Sequence, residues 1–158
     1  MKRQSAFSLI EVTIALGLTA FCMTTLMGLI PAGIRSNHTA HEKYTASEVA
    51  NLLISDLVSA PIGSKQTVDG LSIPDAGSSG TSSQQIYYSE TADSHGNHFA
   101  SSRTENSRYL ISVTMLPPNA NQLYATNVFI RITWPAAATS PEGALEVYTV
   151  LNRNSHVF

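Results

Sequence analysis

A single cysteine, Cys22, stands in a chain of 158 residues, so no intramolecular disulfide and no cysteine-based zinc site can form. Charge is scarce as well: Asp, Glu, Lys and Arg make up 13% of the sequence against a usual share of about 25%, and Ser, Thr and Asn fill the gap. The net charge is -2, and beyond Lys2 and Arg3 there is no basic cluster. A nucleic-acid-binding surface needs a Lys/Arg stripe to neutralise phosphates, so that class is excluded. No G-x-S-x-G elbow and no phosphate-cradling glycine loop occur, and the scattered Ser, His and Asp residues form no hydrolase pattern. Apolar residues, at 43%, are nevertheless enough to build a core, which excludes a disordered chain. The length allows one domain of about 100 to 150 residues or a smaller domain with an appendage. The distribution of apolar residues selects the second.

From Val12 to Ile34 no residue carries a formal charge. As a helix these 23 residues would reach about 34 Å, enough to cross a hydrocarbon core about 30 Å thick. Lys2 and Arg3 before the run favour a cytoplasmic N-terminus with the rest of the chain outside. A secretory signal peptide has a core of only about 7 to 15 residues and ends in a small-x-small cleavage site, whereas this run is longer and no such site follows it. The segment is therefore expected to be retained. "LTAFC" at 18–22 faintly resembles a lipoprotein signal, but Phe21 is bulky where that signal needs a small residue and the apolar run continues past Cys22. That thiol is a small hydrophobe within the span. Pro31 is expected to kink the helix or divide it, and Gly17, Gly28 and Gly33 permit close approach of a neighbouring helix.

A plain anchor explains all of this except Glu11. An acidic side chain within a membrane segment costs about 2.5 to 3.5 kcal/mol near the centre and less toward an end, and calls for a partner. A cut between Ala6 and Phe7 would supply one, because the new α-amino group would lie four residues from Glu11. Such an amine titrates at about 7.7 to 8.0, so it is largely cationic at neutral pH. Between adjacent helices the amine of one subunit would meet the carboxylate of the next, neutralising both charges and setting the register of an assembly.

These residues resemble a known pattern. "KRQSAFSLIEVTIALG", with its short basic leader, small residue, Phe and then Glu four positions on, resembles the processing site of type IV pilins and type II secretion pseudopilins. The resemblance implies cleavage by prepilin peptidase between Ala6 and Phe7, N-methylation of Phe7, and Glu11 as the fifth-position carboxylate used in assembly. It also implies packing of the N-terminal helices in a filament core, on an inner-membrane assembly platform and with other pilin or pseudopilin subunits as partners. Where the family usually has Gly before the cut, this chain has Ala6. A narrower likeness covers roughly residues 4–35: "FSLIEVTIALGLTAF" and "LMGLIPAGI" resemble pilin-like proteins encoded in multi-gene cassettes of Verrucomicrobia.

After Arg35, Ala46, Val49, Leu53, Leu57 and Ala60 recur at helical spacing while Lys43, Ser47, Asn51 and Ser55 fall on other faces, which predicts an amphipathic helix stopped by Pro61. Residues 62–84 and 91–107 are polar and Gly/Ser-rich and read as loops around a short strand, "IYYS", at 86–89. Alternating apolar residues predict strands at 109–115 and 128–134, with Pro117, Pro118 and Pro135 as terminators, and a third at 144–152. The expected fold is α+β: a long N-terminal helix, half membrane and half amphipathic, packed on an antiparallel sheet of three to four strands. The expected divisions are a leader at 1–6, a transmembrane or filament-core helix at 7–34, an amphipathic helix at 35–60 and an extracytoplasmic β domain at 61–158.

Two H-x-x-H pairs, His38/His41 and His95/His98, have spacing that would suit a metal, with Glu42 beside the first. Each lacks the three or four ligands of a zinc site, so no metal is expected. Asp69, Asp75 and Asp93 lie in loops and offer oxygen ligands, but none matches residue by residue the calcium site that major pseudopilins carry. Trp134 and the tyrosines are expected in the core or at a subunit contact. No cofactor and no catalytic residue is expected. The leading expectation is a structural subunit, a minor pilin or pseudopilin of a bacterial inner membrane, single-pass and in contact with lipid. The alternative is an extracytoplasmic binding domain or enzyme tethered by a simple anchor.

Overall fold

The computed structural model describes residues 8–60, 64–67, 70–74, 80–116 and 125–152. One helix, α1 (Leu9–Ser59), is followed by β1 (Ser82–Tyr88), β2 (Phe99–Ala100), β3 (Tyr109–Leu116), β4 (Ala125–Trp134) and β5 (Gly143–Asn152). The chain divides into two units between His41 and Glu42.

In the first unit every described residue is exposed, including the large apolar side chains from Leu9 to Ile34. The helix is long and apolar enough to cross a membrane, and none of its most apolar window is buried within the protein. Its threonines do not leave polar groups open to an apolar solvent. The hydroxyls of Thr13, Thr19, Thr24, Thr25 and Thr39 donate to the carbonyls of Ile10, Ala15, Ala20, Phe21 and Arg35 at 2.7–3.0 Å. In hydrocarbon such internal satisfaction is obligatory. Pro31 lies inside α1 and removes the N–H that the Met27 carbonyl would otherwise accept, yet the helix continues through it and is not divided.

In the second unit the C-terminal part of α1 lays a stripe of Ala46, Val49, Ala50, Leu53 and Leu57 on the sheet, all buried. Burying a Leu or Val stabilises the fold by about 1.5–3 kcal/mol each, so this stripe fixes the helix on the domain. Lys43, Ser47, Asn51 and Ser55 are exposed, as the periodicity predicts, and Ala60 packs half-buried against the core. The sheet has the order β2-β1-β3-β4-β5 and is antiparallel throughout. In β3 Tyr109, Ile111, Val113 and Met115 face inward, and in β4 Val128, Ile130, Ile132 and Trp134 do the same. The outward residues of β4 include Arg131, which pairs with Glu146 of β5 at 3.4 Å.

The α+β class holds, with differences at the start of the sheet. β1 begins at Ser82, inside the stretch expected to be loop, because Ser82–Gln85 pair in register with Ser112–Met115 of β3. Its first four residues are Ser and Gln, so no apolar alternation announces them. The two-residue β2, pairing with Tyr87 and Tyr88, adds a fifth strand within the expected 91–107 loop. Residues 65–67 and 70–73 also do more than connect. The Ile73 N–H donates to the Lys65 carbonyl at 2.8 Å and the Thr67 N–H to the Leu71 carbonyl at 2.9 Å, folding a small hairpin whose turn uses Gly70 at φ +80°. This hairpin buries Leu71 and Ile73, and the Gln84 side chain accepts from the Ser72 N–H at 2.8 Å to hold it against β1. The terminators Pro61, Pro117 and Pro118 lie outside the described residues.

Trp134 closes one end of the core, its ring centroid 6.1 Å from that of Tyr109 in an edge-on contact. It lies over Gly143, its partner on β5, so closely that a Cβ there would stand 2.3 Å from the indole ring. A glycine is required at that position for space.

Candidate functional site: the N-terminal helix and the entry to the domain

Ser8-Leu9-Ile10-Glu11 has the S-x-x-E spacing of a capping box. The Ser8 carbonyl accepts the Val12 N–H at 3.3 Å, and the Ser8 N–H donates to Glu11 Oε2 at 2.9 Å. Glu11 therefore satisfies one of the donors that a helix start leaves without an intrahelical partner, and its negative charge sits at the positive end of the helix dipole. At exposed sites that dipole effect is worth about 0.3–1 kcal/mol. This is a local role for Glu11, separate from any pairing with an amine, and the S-x-x-E spacing is its signal in the sequence. The capping bond occupies Oε2, so a carboxylate held in fixed orientation still presents its second oxygen. Ala6 and Phe7, the expected cleavage and methylation residues, lie outside the described residues.

A second constellation was not visible in the sequence. Glu42, only 4% exposed, is the first residue of the second unit, and its carboxylate is gripped from both sides. The Tyr109 hydroxyl donates to Oε2 at 2.6 Å, and the Arg108 guanidinium pairs with the same carboxylate through both Nη2 and Nε. Arg108 also reaches Glu90 at 3.4 Å. The hydrogen bond to Glu42 raises the Arg108 pKa, and burial followed by the bond to Glu42 raises that of Tyr109. A carboxylate on α1 is thus tied to Tyr109, the first residue of β3, and to Arg108 just before it, across 66 positions of sequence for Arg108. No local pattern links residues so far apart. Glu42 is committed to this contact rather than to a metal beside His38 and His41.

The histidine pairs differ in setting. His38 and His41 are exposed on α1. In the β1–β2 connection Asp93 accepts the N–H groups of His95 and Asn97 at 2.8 and 2.9 Å, which hold its carboxyl below the usual range and shape a turn that uses Gly96 at φ +84°. His98 Nδ1 meets the Ser89 carbonyl at 2.9 Å and its ring stacks on Tyr88. Their polar atoms serve the hairpin. Among the described residues no group of three or more His, Cys, Asp and Glu comes together as a metal centre would require. Asp69 and Asp75 lie outside the described residues.

An exposed apolar helix opened by a capping carboxylate, followed by a small antiparallel α+β domain, defines a pilin-like arrangement. Residues 1–27 match the family model described as the prokaryotic N-terminal methylation motif. That motif marks the N-terminus as a type IV pilin-like substrate of prepilin peptidase and supports the type IV pilin and pseudopilin family for this chain. It implies processing and pilin-type assembly, fits membrane anchoring through the apolar helix, and points to a structural subunit rather than an enzyme. The match ends at residue 27 and says nothing of the narrower verrucomicrobial group. No curated protein and no solved structure matches the chain.

Proposed function

We propose that the chain is a minor pilin or pseudopilin: cut between Ala6 and Phe7, methylated on Phe7, and assembled with other subunits through α1. In this account residues 1–6 are the leader, 7–34 the transmembrane and filament-core helix, 35–60 its amphipathic continuation and 61–158 the extracytoplasmic domain. The N-terminus faces the cytoplasm of a bacterium, the span crosses its inner membrane, and an assembly platform there extracts the subunit into the filament. The observation that carries the proposal is Glu11, a carboxylate fixed at the start of a helix whose large side chains from Leu9 to Ile34 are apolar and exposed. A monomer in lipid gains little from such a group, whereas a filament gains a register pin each time it meets a neighbour's new N-terminal amine.

The capping bond favours a second account, because Glu11 would stabilise the helix start of a simple tether as well. Glu11→Gln separates the two. The amide oxygen still accepts the Ser8 N–H, so a tether keeps its helix and its function, while a pilin loses the charge that meets the amine. The expected result is a protein that reaches the membrane at the wild-type level but falls at least about tenfold in the sheared filament fraction. Recovery of the variant in filaments at the wild-type level would refute the assembly role. Exchange of residues 7–34 for an unrelated anchor should likewise abolish incorporation.

A further inference from the structure

β5 pairs residue for residue with β4 and ends the sheet; among the described residues no strand lies on its other side. Such an edge offers a row of backbone N–H and C=O groups, and proteins usually blunt it with Lys, Pro or a bulge. β5 has none of these over its 10 residues. Its one charge, Glu146, is drawn to Arg131 on β4, and Tyr148 and Val150 on its outer face are 63% and 50% exposed. At the opposite end of the sheet β2 pairs only with Tyr87 and Tyr88. Ser82–Ile86 of β1 therefore have β3 on one side and, among the described residues, no strand on the other. The hairpin at 65–67 and 70–73 meets β1 through the side chain of Gln84, on the inner face, and leaves Ser83 and Gln85 exposed on the outer one.

Strand direction decides what fits these edges. A two-fold β5–β5 pair would reverse the docked half of α1 in the second copy, which subunits inserted the same way in one membrane cannot accommodate. β1, β3, β4 and β5 alternate in direction, so β5 runs opposite to β1. A copy displaced across the sheet by four strand spacings, ~19 Å, and not rotated sets its β1 antiparallel to the first copy's β5 and keeps the docked halves of α1 parallel. Ser83, Thr114, Phe129 and Tyr148 form one row of the sheet. Continued across the junction, that register sets Tyr148 opposite Ser83, Glu146 opposite Gln85 and Leu145 opposite Ile86 of the second copy. Inward residues meet inward ones, an acid meets an amide, and no like charges oppose each other. We propose that the edge of β5 at Leu145–Thr149 docks the Ser82–Ile86 edge of a second copy, joining extracytoplasmic domains into one antiparallel sheet. So short an edge is a weak contact between free molecules, and confinement in one membrane supplies the effective concentration that closes it. Each addition leaves a new edge, so copies add in rows rather than stopping at a dimer. This inference rests on the membrane-spanning account of α1 given above.

The test uses the full chain carrying Cys22→Ser, in membranes of the expressing bacterium, treated with a short bis-maleimide cross-linker. Ser83→Cys combined with Tyr148→Cys should give a ladder of dimers, trimers and larger species. Ser83→Cys combined with Ala144→Cys, ~13 Å off register, should give at least about tenfold less. Absence of the ladder, equal yields from the two pairs, or dimers from Tyr148→Cys alone, the product of a two-fold pair, would each overturn the docking. The wild-type chain provides an arm without substitutions. Amides of 143–152 should exchange hydrogen at least about tenfold more slowly in densely loaded liposomes than in sparsely loaded ones, and equal rates would overturn the docking even if the cysteine variants fold badly. A membrane-impermeant maleimide that labels Ser83→Cys only after spheroplasts are lysed would overturn the membrane-spanning account, and the docking with it.

Discussion

Replacing Arg108 with Met tests whether the Glu42 contact ties α1 to the sheet. Removing one member of a fully buried ion pair costs about 3–5 kcal/mol, because the other charge stays in the interior uncompensated, whereas an exposed pair is worth about 0–1 kcal/mol. This pair lies between those limits. The Glu42 side chain is 5% exposed and that of Arg108 is 38% exposed, so water screens the guanidinium end, and the Tyr109 hydroxyl at 2.6 Å still holds one carboxylate oxygen after the substitution. The expected loss is about 2 kcal/mol. Adding Glu42→Gln to Arg108→Met removes the stranded charge and should recover at least about 1 kcal/mol, a coupling typical of residues in direct contact. The assay is urea unfolding of the full chain in detergent micelles, followed by the fluorescence of Trp134, which packs beside Tyr109 and reports on that end of the core. An Arg108→Met protein within about 0.5 kcal/mol of the wild type would refute the argument, as would a double variant no more stable than the single one.

Gly143→Ala places a methyl group against the Trp134 indole and should destabilise the domain by about 1–3 kcal/mol, with a changed near-ultraviolet circular dichroism signal; an unchanged midpoint would mean that the ring moves aside freely. Leu53→Ala, in the middle of the buried stripe, should cost about 2–5 kcal/mol in the same unfolding assay, while Ser55→Ala on the exposed face should stay within about 0.5 kcal/mol. Alkaline pH should weaken the domain. Burial raises the pKa of Tyr109 and of Tyr88, so the folded state keeps phenol protons that the unfolded chain releases from about pH 10. Stability is then full below that pH and falls above it, by up to about 1.4 kcal/mol per pH unit for the buried Tyr109 and by less for the solvent-screened Tyr88, and Tyr109→Phe should reduce the slope.

The parts of the fold that could be read directly from the sequence are those with one physical signal running along the chain. Uninterrupted apolarity marked the first part of α1, helical spacing marked the Ala46–Leu57 stripe, and alternation marked β3, β4 and β5. β1 escaped because Ser82 to Gln85 satisfy a strand through backbone pairing and the Gln84 amide rather than by burying apolar side chains. β2 escaped because two residues are too few for any period. At the N-terminus the Phe-x-x-x-Glu pattern carries the family resemblance, and the S-x-x-E spacing of the cap lies inside it. Glu42, Arg108 and Tyr109 illustrate the other limit. Their meeting depends on the docking of α1 across the sheet, and nothing near Glu42 in sequence distinguishes it from the solvent-facing charge of Lys43.

Intact-mass and N-terminal analysis of the protein extracted from membranes of cells that process other pilins tests the central claim most directly. The account predicts a chain beginning at Phe7 and carrying one added methyl group on its terminal nitrogen. A chain that still begins at Met1 in those cells would contradict it.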